Sequence, residues 1–211
     1  MKSQVKYKVV GPVDTNCYLL INVETNEAVV IDPGARGEFI AERIKELGYK
    51  VDTVLLTHGH FDHMSGLKSM REVMELKVYV GENEKDVLSD PEANCSYWLN
   101  DGGFSEKADS YVHDGDILKV AGFDIKCLAT PGHTIGGICY YIESEKLLFS
   151  GDTVFCQSVG RTDLPTGSSS ELLNSIREKI KNLPGDTKVY PGHGEETTIA
   201  DELRYNPYFN V

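Results

Sequence analysis

The order of apolar and polar positions predicts short strands followed by amphipathic helices. The runs VKYKVV, CYLLINV and EAVVID occupy most of the first 32 residues and read as strands, with ETNE at 24–27 as a turn. An apolar stripe at helical spacing follows over 39–47, and Gly48 is placed to end that helix. VDTVLLT at 51–57 then reads as a buried strand. This part of the chain therefore predicts mixed α/β structure.

A second helical stripe follows directly on that strand. Apolar residues recur at intervals of three and four from Met64 to Met74, which predicts one continuous helix. KVYVG predicts another strand, followed by a short helix near 82–89. The polar, glycine-rich stretch at 90–110 lacks periodicity and predicts a long loop. Loops of this kind often carry binding residues.

Two aromatic residues in this loop are candidates for contact with a substrate. Tyr97 and Trp98 stand together in it, and Trp98 is the single tryptophan of the chain. One interpretation places them at the rim of a binding site, because exposed aromatic side chains provide contact area. The alternative is that Trp98 packs the loop onto the core.

The second half of the chain repeats the strand pattern. DILKV, FDIKCLAT, GICYYIE and KLLFS predict four strands, and PGDTKVYPGHG predicts a last one before a short terminal helix. A helix near 169–183 has Ser168 and Glu171 placed as a capping box. CYLLINVETNEAVVIDPG and CYYIESEKLLFSGDT share one pattern, which suggests two related halves. No linker divides the chain, so a single α/β domain over residues 1–211 is expected.

Composition excludes several classes of function. With 40% apolar and 26% charged residues and no membrane-length apolar run, the chain reads as a globular protein without a membrane span. The N-terminus lacks the apolar core of a signal peptide, so a cytoplasmic location is expected. The net charge of −12 and the absence of a basic run argue against nucleic-acid binding. A small-molecule substrate is the expected partner.

Cysteine usage indicates neither disulfides nor a thiolate metal site. The chain has five cysteines and no C-x-x-C pair, and small apolar packing residues in a reducing compartment are the expected role. Cys156 closely follows the sequence SGDT, so a redox-sensitive thiol near that turn is the alternative for this residue.

The strongest chemical signal lies in the histidines. Five of the six fall in THGHFDH at 57–63, PGH at 131–133 and PGHG at 191–194, and SGDT at 150–153 adds an aspartate. All stand beside Gly, Pro or Asp, in loops where ligands from distant segments can converge. The candidate metal ligands are His58, His60, Asp62, His63, His133, Asp152 and His193.

The spacing fits two adjacent cations. His58 and His60, two positions apart at a strand end, can point the same way, with His133 as the third nitrogen ligand. The second cation would take its ligands from the following turn and from the PGHG segment: Asp62, His63 and His193. Asp152 can bridge the two ions because a carboxylate has two oxygens. We expect two divalent ions, zinc first, although iron or manganese also suits nitrogen and oxygen ligands.

The order of these motifs resembles that of a known superfamily. THGHFDH, TPGHT, SGDT and PGHG after an early VVIDPG resemble the metallo-β-lactamase superfamily over essentially the whole chain. GDTVFCQSVGRTDLP at 151–165 and PGHGEETT at 191–198 are most similar to short, single-domain glyoxalase II-like proteins. The resemblance implies an αββα sandwich of two mixed sheets flanked by helices, with the metals at one edge. It implies the same division of the seven ligands.

The resemblance also assigns residues around the metals. It implies that Asp32 of VVIDPG supports a ligand from outside the coordination shell, and an Asp-Pro turn is the alternative. Arg161 and Asp163 are expected either to form a buried ion pair in the cavity wall or to hold an anionic substrate. His113 lies outside the pattern. Because 18 residues follow His193, the helical glutathione-binding extension of longer glyoxalase II enzymes is expected to be absent.

The predicted function is metal-dependent hydrolysis of a thioester of the hydroxyacylglutathione type. A hydroxide bridging two metals forms near neutral pH, and Asp62 would orient it toward the carbonyl carbon. A leaving thiolate needs no general acid, since thiol pKa values are near 8.5. The alternatives are a lactone or other ester hydrolase, and a mononuclear iron persulfide dioxygenase. The dioxygenase would hold iron with His58, His133 and Asp152, but the PGHGEE ending disfavours it.

Overall fold

Two six-stranded mixed sheets form the middle of the molecule. The computed structural model describes residues 2–99 and 102–210. The first sheet contains, in spatial order, β1 (Ser3–Val10), β2 (Thr15–Asn22), β3 (Glu27–Ile31), β4 (Lys50–Leu55), β5 (Lys77–Gly81) and β6 (Ser110–Val112). Strands β1 to β3 pair antiparallel, and β3 to β6 pair parallel.

The second sheet has a related arrangement. Its strands are β7 (Ile117–Val120), β8 (Phe123–Ala129), β9 (Ile138–Ile142), β10 (Leu147–Gly151), β13 (Lys188–Pro191) and β14 (Thr197–Thr198), in that spatial order. Only β10 and β13 pair parallel. A separate hairpin consists of β11 (Val154–Phe155) and β12 (Ser158–Val159). The pairs β2–β3 and β9–β10 are both antiparallel, and in each the second strand pairs parallel with the next strand of its sheet. The repeated sequence pattern suggests this similarity.

Helices cover both outer faces. They are α1 (Gly37–Glu46), α2 (Phe61–Met64), α3 (Leu67–Val73), α4 (Lys85–Ser89), α5 (Ser169–Ser175) and α6 (Ile199–Tyr205). Ser168 caps α5 by accepting a hydrogen bond from the Glu171 amide, and a wider helical turn continues α5 over Ile176–Ile180. Within the described residues, no helix combines the length and the apolar character needed to cross a membrane.

Three apolar layers hold these elements together. Side chains such as Leu20 and Phe149 fill the space between the sheets. Leu67 and Met70 of α3 pack on the outer face of the first sheet, and Leu172 of α5 packs on the second. Burying such faces is the main stabilising contribution in a layered fold. The predicted αββα sandwich is therefore confirmed.

Two predicted elements differ from the structure. The continuous helix predicted from Met64 to Met74 is wrong, because the chain breaks after Met64 and restarts at Leu67. At the break the Gly66 amide donates to the carbonyl of Pro33 at 2.8 Å, and a Cβ on Gly66 would lie 2.5 Å from that oxygen. Tertiary contact thus ends the first helix. The second difference is a missed element: the strand β6 (Ser110–Val112) follows the loop predicted at 90–110, and the sequence analysis did not predict it.

The parallel pairing decides where the loops meet. Strands β3 and β4 run parallel, and so do β10 and β13, so the segments that follow each pair leave at one edge of its sheet. These segments carry Asp32, the THGHFDH motif, Asp152 and PGHG. Crevices at the carboxyl ends of parallel strands are common ligand sites.

Candidate metal centre

The structure brings all seven predicted metal ligands together at this edge. His58 and His60 follow β4, and α2 carries the next two donors. His133 lies in the β8–β9 loop. The last two donors follow β10 and β13. Three groups of donor atoms lie within 4.8 Å of one another: His58 with His60 and His133; His58 with His63 and Asp152; and Asp62 with His63 and His193.

The first half of the centre consists of three imidazoles, which we call the tri-histidine cluster: His58, His60 and His133. The Nδ1 atom of His60 lies 3.1 Å from Nε2 of His58 and 2.9 Å from Nε2 of His133. The far side of His133 is fixed, because its Nδ1 lies 2.7 Å from the carbonyl oxygen of Arg161. Three ring nitrogens therefore converge on one point.

The second half, which we call the carboxylate-flanked cluster, contains Asp62, His63 and His193. Oδ2 of Asp62 lies 3.2 Å from Nε2 of His193 and 3.4 Å from Nε2 of His63. The Thr15 hydroxyl donates to the same Oδ2 at 2.7 Å. His193 has the most accessible side chain of the group at 27%, so the centre opens to solvent on this side.

Asp152 lies between the two clusters. Its Oδ2 is 3.5 Å from Nε2 of both His133 and His193, and its Oδ1 is 3.4 Å from Nε2 of His63. Among the residues that the structure describes, the buried atoms Asp152 Oδ1 and His63 Nε2 have no hydrogen-bond partner. Buried polar atoms are nearly always satisfied, so these two fit a bound ion. The donor set of imidazoles and carboxylates is one that zinc, iron or manganese accepts.

The two clusters have opposite electrostatics. Burial and the neighbouring imidazoles hold the pKa of His58 well below its ordinary value. Burial and the imidazole of His133 lower the pKa of His60 to about 3, against the attraction of Asp62 and Asp152. These imidazoles are therefore neutral at pH 7, which is the form that binds a metal.

In the carboxylate-flanked cluster the carboxylates prevail. Burial alone would lower the pKa of His63, but Asp62, Asp152 and Asp32 raise it well above its ordinary value. Burial would also lower the pKa of His193, but its hydrogen bonds to Asp152 and Asp62 raise this pKa to about 10. In the absence of a metal, protons on these imidazoles compensate the buried carboxylates.

Asp32 supports the second cluster from behind. Its Oδ2 lies 2.9 Å from Nδ1 of His63 and accepts a 2.7 Å hydrogen bond from the Thr57 hydroxyl, while Oδ1 accepts from the Thr57 amide at 2.8 Å. The side chain thus contacts His63 and the strand end that leads to His58. Its backbone also forms a turn, since the Gly34 amide donates to the Asp32 carbonyl.

The sequence did not single out Thr15, Thr57 and Glu84, although all three are buried at the centre. Glu84 follows β5, and its carboxylate accepts hydrogen bonds from the amides of Gly59 and Gly136. Thr57 opens the THGHFDH motif without being a candidate ligand, and no motif marks Thr15 or Glu84. Only their contacts identify them.

The ion pair of Arg161 and Asp163 forms but is not buried. Nε and Nη2 of Arg161 donate to the two carboxylate oxygens at 2.7 and 2.8 Å, and the two side chains are 60% and 68% exposed. The expectation of a buried pair is therefore wrong. These long side chains extend into solvent, and only the backbone carbonyl of Arg161 reaches the centre, through His133.

The aromatic pair Tyr97 and Trp98 is also exposed, at 61% and 63%. The alternative that Trp98 packs onto the core is wrong. The segment is anchored just before the pair, because the Phe61 amide donates to the Asn94 carbonyl at 2.8 Å. Phe61 immediately precedes Asp62, so this hydrogen bond fixes Asn94, three residues before Tyr97, beside the helix that carries two of the donors.

The sequence of the whole motif region matches a known protein family. A model of the metallo-beta-lactamase superfamily matches residues 10–193. The chain belongs to this superfamily and is a metallo-hydrolase of its fold, so the predicted resemblance is confirmed. It is 40% identical to a probable metallo-hydrolase, YqgX of Bacillus subtilis, over 95% of each chain. It is 38% identical to hydroxyacylglutathione hydrolase GloC of Haemophilus influenzae over 92% of each chain.

Solved structures agree with this assignment. BLEG-1, named a B3 metallo-beta-lactamase, superposes with a TM-score of 0.92 at 38% identity and covers 99% of this chain and 100% of its own. TTHA1623, crystallised in a di-iron-bound form, superposes with a TM-score of 0.83 at 32% identity, covering 96% and 99%. The second of these proteins holds two metal ions on the same fold.

Proposed function

We propose that this protein is a dinuclear metal hydrolase that cleaves thioesters of the hydroxyacylglutathione type. One observation carries the proposal. Asp152 lies between two groups of three donors, within 3.5 Å of a histidine of each, and its Oδ1 is buried without a hydrogen-bond partner among the described residues. The tri-histidine cluster would hold one ion, and Asp62, His63 and His193 the other. Zinc is the expected metal, with iron or manganese also suited to these donors.

Bound metal would supply two effects, a bound water with a pKa of about 7 and polarisation of the substrate carbonyl. The protein supplies the geometry. Thr15 holds Asp62 by a hydrogen bond, so this carboxylate has a fixed orientation from which to position the attacking water. Asp32 fixes the ring of His63 in the same way. Such outer contacts typically change metal affinity or activity by roughly 10–100-fold.

The leaving group favours a thioester. A thiolate departs without protonation near neutral pH because thiol pKa values are about 8.5. Each of the seven donors at the centre would bind metal or contacts another donor. Burial would raise the pKa of Asp62, but the charge of His63 and the hydrogen bond from His193 lower it to about 2. Asp62 is therefore a poor general acid. The name of the GloC relative is consistent with this choice.

The mouth of the centre is suited to a small organic substrate. The ring of Phe155 lies 6.0 Å from that of His193, on the accessible side. Tyr97 and Trp98 are proposed as further substrate contacts, because their loop is anchored beside Asp62. The guanidinium of Arg161 is proposed to meet an anionic part of the substrate.

A β-lactam is the second candidate substrate. It is favoured by the similarity to BLEG-1 over the whole chain. The same attack on a carbonyl would open the ring, but the departing amide nitrogen needs a proton. An imidazole that binds metal has released its proton, so the seven donors of the metal-loaded centre would offer none for this step, and the thioester is placed first.

The test combines metal analysis with a panel of substrates. We expect close to two metal equivalents and measurable cleavage of S-lactoylglutathione, with little opening of the β-lactam nitrocefin. Failure across several thioesters would reject this substrate class. A single tightly bound iron with oxygen uptake on a persulfide would instead establish the dioxygenase alternative.

A further inference from the structure

Glu84 connects two loops of the tri-histidine cluster. It lies at the end of a short helical turn after β5, and its side chain is fully buried. Its Oε2 accepts a 2.6 Å hydrogen bond from the amide of Gly59, which stands between His58 and His60. Its Oε1 accepts a 2.7 Å hydrogen bond from the amide of Gly136 in the loop that carries His133.

We infer that Glu84 is a positioning residue that fixes the distance between the His58–His60 loop and the His133 loop, and thereby sets the affinity of the tri-histidine cluster for metal. This inference rests on the proposed metal function. Glu84 does not contact metal or substrate in this role. It acts through the two backbone amides that it joins.

The packing around Glu84 supports this role. A Cβ on Gly59 would lie 2.9 Å from Glu84 Oε2, and a Cβ on Gly136 would lie 2.5 Å from the Glu84 amide nitrogen. A Cβ on Gly81 would lie 2.2 Å from the carbonyl oxygen of Gly136. Glycine is therefore needed on each side for the loops to approach so closely. The close backbone approach and the two hydrogen bonds of Glu84 together hold the two loops against each other.

The chemistry of the carboxylate explains why glutamate suits this position. Both oxygens face N–H donors, so an acceptor is needed on each side. Burying a carboxylate is unfavourable unless it is well bonded, and a hydrophobic residue here would leave two buried amides without partners. A glutamine would place its NH₂ group against one of the two amides and lose that bond.

The experiment compares Glu84→Gln with a matched control, Glu202→Gln. Glu202 is also fully buried and accepts hydrogen bonds from a backbone amide and side chains: Gln157, Thr197 and Asn206. Its hydrogen bonds reach neither of the two histidine loops. Metal-free protein is titrated with Co²⁺ against a chromophoric chelator, and thermal unfolding of each metal-free variant is measured in parallel.

We expect Glu84→Gln to weaken binding of one Co²⁺ equivalent by at least ~10-fold, a usual effect of altered outer contacts. The other equivalent should change less than threefold, and the visible Co²⁺ spectrum should shift. Glu202→Gln should lower the unfolding temperature to a similar extent while leaving both affinities within about twofold.

The outcomes are distinguishable. Equal Co²⁺ affinity in wild type and Glu84→Gln would overturn this inference and leave the proposed function intact. Wild-type protein that binds no metal would overturn the proposed function itself. Equal losses of affinity in both variants would show general destabilisation and also overturn the inference. If Glu84→Gln fails to fold, Glu84→Asp keeps the charge but falls one methylene short of spanning both amides, and the same loss is expected.

Discussion

The two halves of the candidate metal centre use the same residue type in opposite states. In the tri-histidine cluster, burial and the neighbouring imidazoles lower the pKa values of His58 and His60. Histidines of the other cluster face Asp62 and Asp152, so their pKa values rise. The clusters nevertheless share Asp152, which lies 3.5 Å from a nitrogen of each.

This difference shows that the surroundings of a histidine set its protonation state, and with it the ability of the ring to bind metal. A neutral imidazole presents its lone pair directly, whereas an imidazolium must first release a proton. We therefore expect metal binding through His58 and His60 to depend little on pH near neutrality. The carboxylate-flanked cluster should bind with a clear dependence.

Removing the shared residue should have the largest effect. Asp152→Ala deletes the carboxylate between the clusters and leaves His63 Nε2 facing a cavity. Metal content should fall below one equivalent, and kcat/KM on S-lactoylglutathione should fall by on the order of 10³-fold or more, because substrate polarisation is lost with the metal.

The matched control for this prediction is His113→Ala. The His113 side chain is exposed and pairs with Glu82 at 2.8 Å, away from the centre. Metal content and turnover should stay within twofold of wild type. The reverse pattern, with turnover lost at His113 and kept at Asp152, would show that the donor assignment is mistaken.

The contact behind His63 should have the next largest effect. Asp32 has a positive φ of 51°, a conformation that asparagine tolerates, so Asp32→Asn tests its charge and hydrogen bonding without straining the backbone. We expect metal affinity at the carboxylate-flanked cluster to fall by roughly 10–100-fold. Chelator competition measures this, and an unchanged affinity would leave Asp32 as a turn former only.

The pH dependence of metal affinity should differ between the two clusters. Since the pKa of His193 in metal-free protein is about 10, raising the pH toward that value removes a competing proton. Affinity at this cluster should rise by up to about tenfold per pH unit for each proton displaced, while the tri-histidine cluster changes little. Isothermal titration between pH 6 and 9 measures both. A flat profile for both ions would contradict the proposed difference.

The same shift predicts how the stability of metal-free protein depends on pH. A raised pKa means that protonated His193 stabilises the fold fully below its unfolded pKa of about 6.5. This contribution is lost as pH rises through about 10. Metal-free protein should therefore lose stability on alkaline titration, and saturation with metal should reduce that loss. Denaturant unfolding at several pH values provides the measurement.

The smallest effect is expected at the exposed rim. Arg161→Ala removes a side chain that pairs with Asp163, whereas the backbone carbonyl that accepts from His133 remains. We expect KM to rise a few-fold with metal content unchanged, consistent with the small contribution of exposed ion pairs. A loss of metal in this variant would show that the side chain does more than meet substrate.

Some elements of the fold and of the site were predictable from the sequence, and others were not. The strands β2 and β3, the helix capped by Ser168 and the grouping of donors were predictable, because local apolar periodicity and motif spacing report on local geometry. The break at Gly66 was not, since it depends on contact with the carbonyl of Pro33. The sequence also could not decide whether Trp98 and the Arg161–Asp163 pair are exposed, since exposure likewise depends on contacts between distant segments.

The sequence by itself determined most of the strands and helices, because their apolar periodicity is local, and the order of its motifs predicted the αββα layers and the seven candidate donors through their resemblance to the superfamily. Only the tertiary structure decided which histidines are neutral and which are protonated without metal, because pKa values depend on neighbours from distant segments. It also decided that Glu84 joins the His58–His60 loop to the His133 loop, since that contact requires three glycines and two loops far apart in the chain to meet.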